Sequence, residues 1–94
     1  MSRFETRKRA IKSDPANLDF ASIGADAEAE LTVTVPDAQV GDPVMVAPPA
    51  ALEANLIVAA AFVSAADTVT IRLYNPTVGA IDPAAADWTV AIVK

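Results

Sequence analysis

Two segments of the chain alternate apolar and polar side chains with a strict two-residue period, and this alternation constrains the fold more than any other feature. The segments are residues 27–35 and 68–74. Successive side chains of a β-strand point to opposite faces, so the pattern predicts two strands that are each buried on one side. The expected inward side chains are Ala27, Ala29, Leu31, Val33 and Val35 in the first strand and Val69, Ile71 and Leu73 in the second. We expect the side chains between them, including Thr70, to face solvent.

Four further short apolar segments are separated by residues that favour turns. They are residues 18–23, 44–47, 56–63 and 88–93, with glycine, proline, asparagine and aspartate between them. Short strands separated by turn signals are typical of antiparallel sandwiches and small barrels. We therefore predict an all-β fold, a small antiparallel β-sandwich or barrel of about six strands, in jelly-roll or another Greek-key order.

Residues 50–63 are ambiguous. They are rich in alanine and leucine and follow Pro48 and Pro49, which suits the start of a helix. The β-branched residues of the second half favour a strand instead. We predict a helical or irregular turn at residues 50–55 and a strand at residues 56–63. This strand has no polar residue, so we expect the core to cover one face and a neighbouring subunit to cover the other.

The composition limits how such a fold can be stabilised. A chain of 94 residues makes one small domain, and domains of this size usually depend on disulfides, metals or partner subunits. The sequence contains no cysteine and no histidine, which excludes a disulfide and argues against structural zinc. Association with other subunits is the remaining option, and it is the first indication of function.

Charge divides the chain into a basic arm and an acidic body. Residues 1–12 contain five basic residues and one acidic residue, a net charge of +4, whereas residues 13–94 contain two basic and eleven acidic residues, a net charge of −9. We predict an N-terminal arm at residues 1–17, ordered only on an acidic partner, and a β-sandwich domain at residues 18–94. The alternative interpretation of the arm is a flexible tail that only improves solubility.

The sequence offers little for catalysis or for ligands. Without histidine and cysteine, the commonest general base and thiolate nucleophile are missing, and three scattered glycines cannot form a phosphate-binding loop. We expect no enzymatic activity, no cofactor and no metal. Asp26, Glu28 and Glu30 alternate on one predicted strand face and could hold a hard cation. The interpretation we favour is a solvated face that protects a sheet edge.

Nucleic acid and membranes are also not expected as direct partners. Arg7, Lys8 and Arg9 could bind phosphates by charge alone, but the acidic body would repel a nucleic-acid backbone. No apolar run approaches the roughly 20 residues that span a bilayer, and no apolar stretch follows the basic N-terminus as in a secretory signal. We expect synthesis in the cytoplasm of the host cell.

The second half of the chain resembles small structural proteins encoded by tailed phages. The resemblance is carried by residues 56–58, 61–75, 79–84 and 88–90, and it extends over about residues 18–94. It is a pattern of strands and turns and includes no catalytic motif. Proteins of this kind are similar to capsid decoration, or cement, proteins, which are β-rich, often trimeric, and bound to the outside of shells of HK97-type major capsid protein. The basic arm has no counterpart in the pattern.

The resemblance implies a non-enzymatic virion protein on the outer surface of the capsid, which stabilises the assembled shell. We expect the arm to contact the major capsid protein, through its basic residues and two apolar ones: Arg3, Phe4, Arg7, Lys8, Arg9, Ile11 and Lys12. We expect the body to form a homotrimer through alanine-rich and aromatic positions: Ile57, Ala59, Ala61, Tyr74 and Trp88. A trimer would let three weak shell contacts act as one strong contact.

Two other functions remain open at this point. A tail-fibre or receptor-binding domain would carry its binding residues in the loops at residues 37–43 or 76–86. A non-viral β-sandwich module would bind a small ligand such as a carbohydrate or calcium. Tyr74 and Trp88 are the side chains on which a sugar would stack, although both are also ordinary core residues.

Overall fold

The computed structural model describes residues 10–12 and 15–94. This part of the chain is all-β, as predicted, and contains no helix. Its strands are β1 (Ala10–Lys12), β2 (Ala16–Leu18), β3 (Ala27–Thr34), β4 (Val44–Ala47), β5 (Ile57–Ala65), β6 (Thr68–Asn75) and β7 (Ala86–Val93). None of the described residues lies in an apolar helix long enough to cross a membrane.

The strands form two antiparallel sheets. In the first sheet, β7 is central: β4 pairs with one of its edges, and β1 and β2 pair with successive segments of it. Ala10 lies opposite Val93 and Ala16 lies opposite Trp88, so six residues along the N-terminal segment correspond to five along β7. The registers of β1 and β2 on β7 therefore differ by one residue. The second sheet has the order β3-β6-β5.

The order of the strands makes the fold jelly-roll-like. From β2 onward, the chain crosses from one sheet to the other at every connection except the β5–β6 hairpin, and the last two strands, β6 and β7, occupy the centres of the two sheets. A full jelly roll has eight strands in two such sheets. Because the two sheets each turn one apolar face inward, they form a sandwich around a single core.

The core lies between the sheets and contains side chains from both. The alternating residues of β3 and β6 point into it as expected, and Val69, Ile71 and Leu73 are completely buried. Trp88 from β7 packs against Phe20, with their ring centroids 5.7 Å apart. Burial of such side chains stabilises the fold by roughly 1.5–3 kcal/mol each. Thr70, expected to face solvent, is buried as well, because it lies on the central strand between Thr32 and Phe62. Its hydroxyl group donates a hydrogen bond to Ser64 Oγ at 2.7 Å.

The strand boundaries differ most from the sequence predictions at the first predicted strand. The segment predicted at residues 18–23 is a strand only at its beginning, in β2, and Ile23 forms an isolated bridge with Ile81. The arm boundary placed between residues 17 and 18 therefore falls inside β2. Residues 50–55 form turns, the irregular alternative of the prediction, and Asn55 adopts a positive φ of 77°.

One end of the sandwich is organised around the β5–β6 turn. Asp67 adopts a positive φ of 61°, a conformation that aspartate tolerates in turns. Its backbone N–H donates to Ala38 O at 2.8 Å and its carbonyl accepts from Val35 N at 2.9 Å, which ties the loop at residues 35–43 to this turn. Lys94, directly after β7, donates to Asp42 in the same loop at 2.8 Å. The N-terminal segment also joins the sheet at this end, because Ala10 lies opposite the last residue of β7.

The opposite end is held by the side chain of Asn75, which is completely buried. Its Nδ2 group donates to Ile23 O at 2.9 Å, Gly24 O at 3.1 Å and Gly79 O at 2.8 Å. Its Oδ1 atom accepts from Thr77 N at 2.9 Å and from the Thr77 hydroxyl at 2.7 Å. One amide thus connects the loop after β2 to the loop after β6 and satisfies all of its own hydrogen-bonding groups.

Candidate interaction surface

A long segment of the sequence is almost free of charge, and the fold makes it one side of the sandwich. Residues 43–66 contain a single ionisable residue, Glu53. They include β4, the following turns and β5, and these two strands contact each other although they belong to different sheets. We call this surface, formed by residues 43–66, the neutral side.

The one charge of the neutral side is engaged within the chain. Glu53 is half-buried, and its Oε2 atom accepts a hydrogen bond from Ala84 N at 2.9 Å. This contact directs the carboxylate to the loop before β7. The strands β4 and β5 therefore present no charged side chain to solvent.

On β5, large apolar side chains are exposed on the outer face of the sheet. Ile57 is 48 % exposed and lies opposite Tyr74, and Phe62 is 40 % exposed and lies opposite Thr70. The guanidinium of Arg72 lies 5.6 Å from the centre of the Phe62 ring, a cation–π contact that holds the ring in place. The core thus covers only the inner face of β5, and its outer face is uncovered within the single chain, which leaves it open to the neighbouring subunit that the sequence predicts there.

On β4, the exposed apolar side chains face outward from the other sheet. Val44 and Val46 pack against the core, so the alternate residues Met45 and Ala47 point away from it. Met45 is 52 % exposed. The neutral side therefore has two apolar flanks that face away from each other: Met45 with Ala47 on β4, and Ile57 with Phe62 on β5.

The far edge of the β5 sheet has the opposite character. It is formed by β3, where Glu28 and Glu30 are exposed. Glu30 pairs with Arg72 at 2.5 Å, and the hydroxyl of Tyr74 donates a hydrogen bond to Asp26. That hydrogen bond, and the negative charge of Asp26, raise the pKa of the Tyr74 phenol above its usual value. Acidic side chains on an edge strand oppose pairing with another chain, so one edge of this sheet is protected by charge and the other is not.

The three acidic residues considered as a cation site are not arranged as one. Asp26 and Glu30 are each occupied by a partner on β6. Within residues 10–12 and 15–94, no group of three or more acidic side chains is placed to hold a metal ion.

Most of the predicted capsid-binding residues cannot be placed on this surface. Arg3, Phe4, Arg7, Lys8 and Arg9 lie outside the described residues. The other two predicted residues of the arm belong to β1, where the backbone of Ile11 pairs with that of Ile92 and the backbone of Lys12 pairs with that of Ala91.

The predicted oligomer-interface residues divide into three groups. Ile57 and Tyr74 are neighbours on the outer face of the sheet. Ala59 is an exposed residue at a β-bulge, and the bulge turns Ala61 inward, opposite Ile71. Trp88 is only 2 % exposed within a single chain, so its assignment as an interface residue is corrected to a core residue.

Sequence reasoning missed two of the three large apolar side chains that the neutral side exposes, Met45 and Phe62. The bulge between Val58 and Ala60 shifts the alternation of β5 by one residue, so Phe62, rather than Ala61, shares the outer face with Ile57. The absence of charge from residues 43–66 is the signal in the sequence that could have identified this surface.

Comparison with known proteins identifies no relative. No protein family, no curated protein and no solved structure matches the chain.

Proposed function

We propose that the protein is a non-enzymatic structural component of a virion, a capsid decoration protein that associates with itself and stabilises an assembled shell of major capsid protein. The observation that carries the proposal is the neutral side, an exposed apolar surface without free charge on an otherwise acidic body. Contiguous apolar surface on a small protein indicates a protein–protein contact. The shell as partner is supported by the resemblance to phage structural proteins and by the basic arm.

The two contacts in this proposal use different parts of the molecule. The neutral side serves self-association into a homotrimer, and the basic arm serves binding to the shell. Residues 1–9 carry four basic residues and one acidic residue. They precede β1, which pairs with the last residues of β7, at the end of the sandwich that contains the β5–β6 turn. Several arms projecting from one trimer would raise the effective concentration of each arm at the shell surface.

The test is binding to assembled shells of the major capsid protein from the same genome. Deleting residues 1–12, the basic part of the predicted arm, would also remove β1 from the first sheet, so the sharper variant lacks only residues 1–9. We expect the full chain to sediment with expanded shells and the truncated chain to remain in the supernatant with its oligomeric state unchanged. A variant in which Arg7, Lys8 and Arg9 are replaced by glutamate should behave like the truncation. Undiminished sedimentation of the truncated chain would refute the role of the arm, and failure of the full chain to bind would refute the function.

A tail-fibre or receptor-binding tip is less well supported. The two loops that would form such a tip, residues 37–43 and 76–86, lie at opposite ends of β6. They expose one valine each, Val40 at one end and Val78 at the other. A single tip could therefore use only one of them.

A further inference from the structure

We propose that copies of this chain associate through the neutral side in a head-to-tail manner, so that the β4 flank of one copy packs against the β5 flank of the next. The proposal deepens the self-association in the proposed function but does not depend on the shell. It assigns the contact to Met45 and Ala47 on one copy and to Ile57 and Phe62 on its neighbour.

Charge identifies a second copy as the occupant of this surface. The body, residues 13–94, has a net charge of −9, so two copies repel each other in most orientations. On the β5 sheet, contact through β3 would bring Glu28 and Glu30 of both copies together, whereas contact through β5 brings together no free charge. A basic partner would select the acidic edge instead. The neutral side is thus the surface on which this acidic chain can approach another copy of itself.

The position of the two flanks determines the symmetry of the contact. The flanks belong to the outer faces of different sheets and face away from each other, so one neighbouring copy cannot cover both. A two-fold contact would bury one flank against its own equivalent and leave the other in water. Contact between unlike flanks buries both, and such head-to-tail contacts produce either a closed ring or an open filament.

The flanks also match in position along the strands. Met45 lies opposite Ala91, near the end of β7, and Phe62 lies opposite Thr70, near the beginning of β6. Both belong to the half of the sandwich that contains the β5–β6 turn. Around an axis parallel to the strands, Met45 of one copy therefore lies level with Phe62 of the next.

Cysteine cross-linking tests this arrangement without background, because the chain has no cysteine of its own. Met45→Cys and Phe62→Cys are made as separate variants with different affinity tags, are co-expressed, and are treated with a short bis-maleimide. We expect covalent dimers that contain one chain of each variant, and none when either variant is treated alone. Val78→Cys, at a fully exposed position outside the neutral side, is the control and should cross-link with neither, although it is the more accessible thiol.

Light scattering completes the test with the mass of the unmodified protein. We expect a mass of at least three chains, discrete for a closed ring and growing with concentration for an open filament, that falls to one chain in Phe62→Asp with an unchanged circular dichroism spectrum. Covalent dimers from Phe62→Cys alone would show a two-fold contact and overturn the head-to-tail arrangement. A monomer at all concentrations, or a mass unaffected by Phe62→Asp, would overturn self-association through the neutral side. Either result leaves the shell-binding test of the arm intact.

Discussion

The buried amide of Asn75 makes the sharpest stability prediction. Replacing it with alanine removes five hydrogen bonds. Some of the backbone groups that made these bonds have a second hydrogen-bond partner, and others do not. Ile23 O keeps its bond from Ile81 N, and Gly79 O, 2.9 Å from the Thr77 hydroxyl, can accept the hydrogen that this hydroxyl no longer donates to Asn75 Oδ1. Gly24 O and Thr77 N lose the partner that Asn75 provided. The substitution therefore orphans two partly buried backbone groups and leaves a small cavity.

The expected magnitude follows from these losses. An unsatisfied buried donor or acceptor costs about 1–3 kcal/mol, and partial access of water to both orphaned groups favours the lower end of that range. With the cavity included, we expect Asn75→Ala to lower the free energy of unfolding by about 2–4 kcal/mol. A domain of this size has a total stability of only about 5–14 kcal/mol. The melting temperature should fall by roughly 10–25 °C.

Urea unfolding followed by tryptophan fluorescence measures this change, because Trp88 is the only tryptophan and is buried in the core. Wild type and variants are compared at one protein concentration, since association also affects stability. Asn17→Ala is the matched control: it removes one exposed side-chain hydrogen bond, to Asp87, and should cost less than about 0.5 kcal/mol. The reasoning would be refuted if Asn75→Ala were no more destabilising than Asn17→Ala.

Three further predictions follow from single side chains. Val69→Ala, in the buried centre of β6, should cost about 2–3 kcal/mol, whereas Val78→Ala, at a fully exposed position, should leave the urea midpoint unchanged. Tyr74 is the only tyrosine, so its ionisation can be followed by absorbance. The pKa measured in this titration should lie above 10.0 and return towards 10.0 in Asp26→Asn. Because the raised pKa favours the neutral phenol in the folded state, the Tyr74 contribution to stability should be present below pH 10 and be lost as the pH rises through the folded pKa. The pKa of Asp42 is lowered from 3.8 by hydrogen bonds from Lys94 and from the backbone N–H of Gln39. The contribution of Asp42 to stability should therefore be present above pH 3.8 and be lost as the pH falls through the folded pKa. Thermal melts of Asp42→Asn at a series of pH values should lack this part of the pH dependence.

Much of the fold could be predicted from local sequence patterns. The alternation in residues 27–35 and 68–74 correctly identified β3 and β6 and the inward faces of both strands. The prolines and glycines around residues 44–47 delimited β4 to the residue. These predictions succeed because strand period and turn chemistry are local properties of the chain.

The candidate surface was predicted less well, because its geometry depends on pairing. The run of apolar residues in β5 has no period of its own, so the sequence did not show that a bulge after Val58 would place Phe62 outside and Ala61 inside. Trp88 was assigned to an interface because an aromatic residue at the start of a strand suits a core or a subunit contact equally well. Only the position of β7 at the centre of its sheet decides that Trp88 is buried.

Composition and local pattern alone indicate a small all-β domain with a basic N-terminal segment, an acidic body and no charge over most of residues 43–66. These properties follow from composition and from short-range patterns, and they do not depend on which strands pair with each other. The tertiary structure decided that β4 and β5, from different sheets, lie side by side, and that the acidic residues of β3 lie on the other edge. That juxtaposition comes from long-range strand pairing and sheet packing, and it turns a neutral stretch of sequence into one uncharged side of the sandwich, with an apolar flank on each sheet.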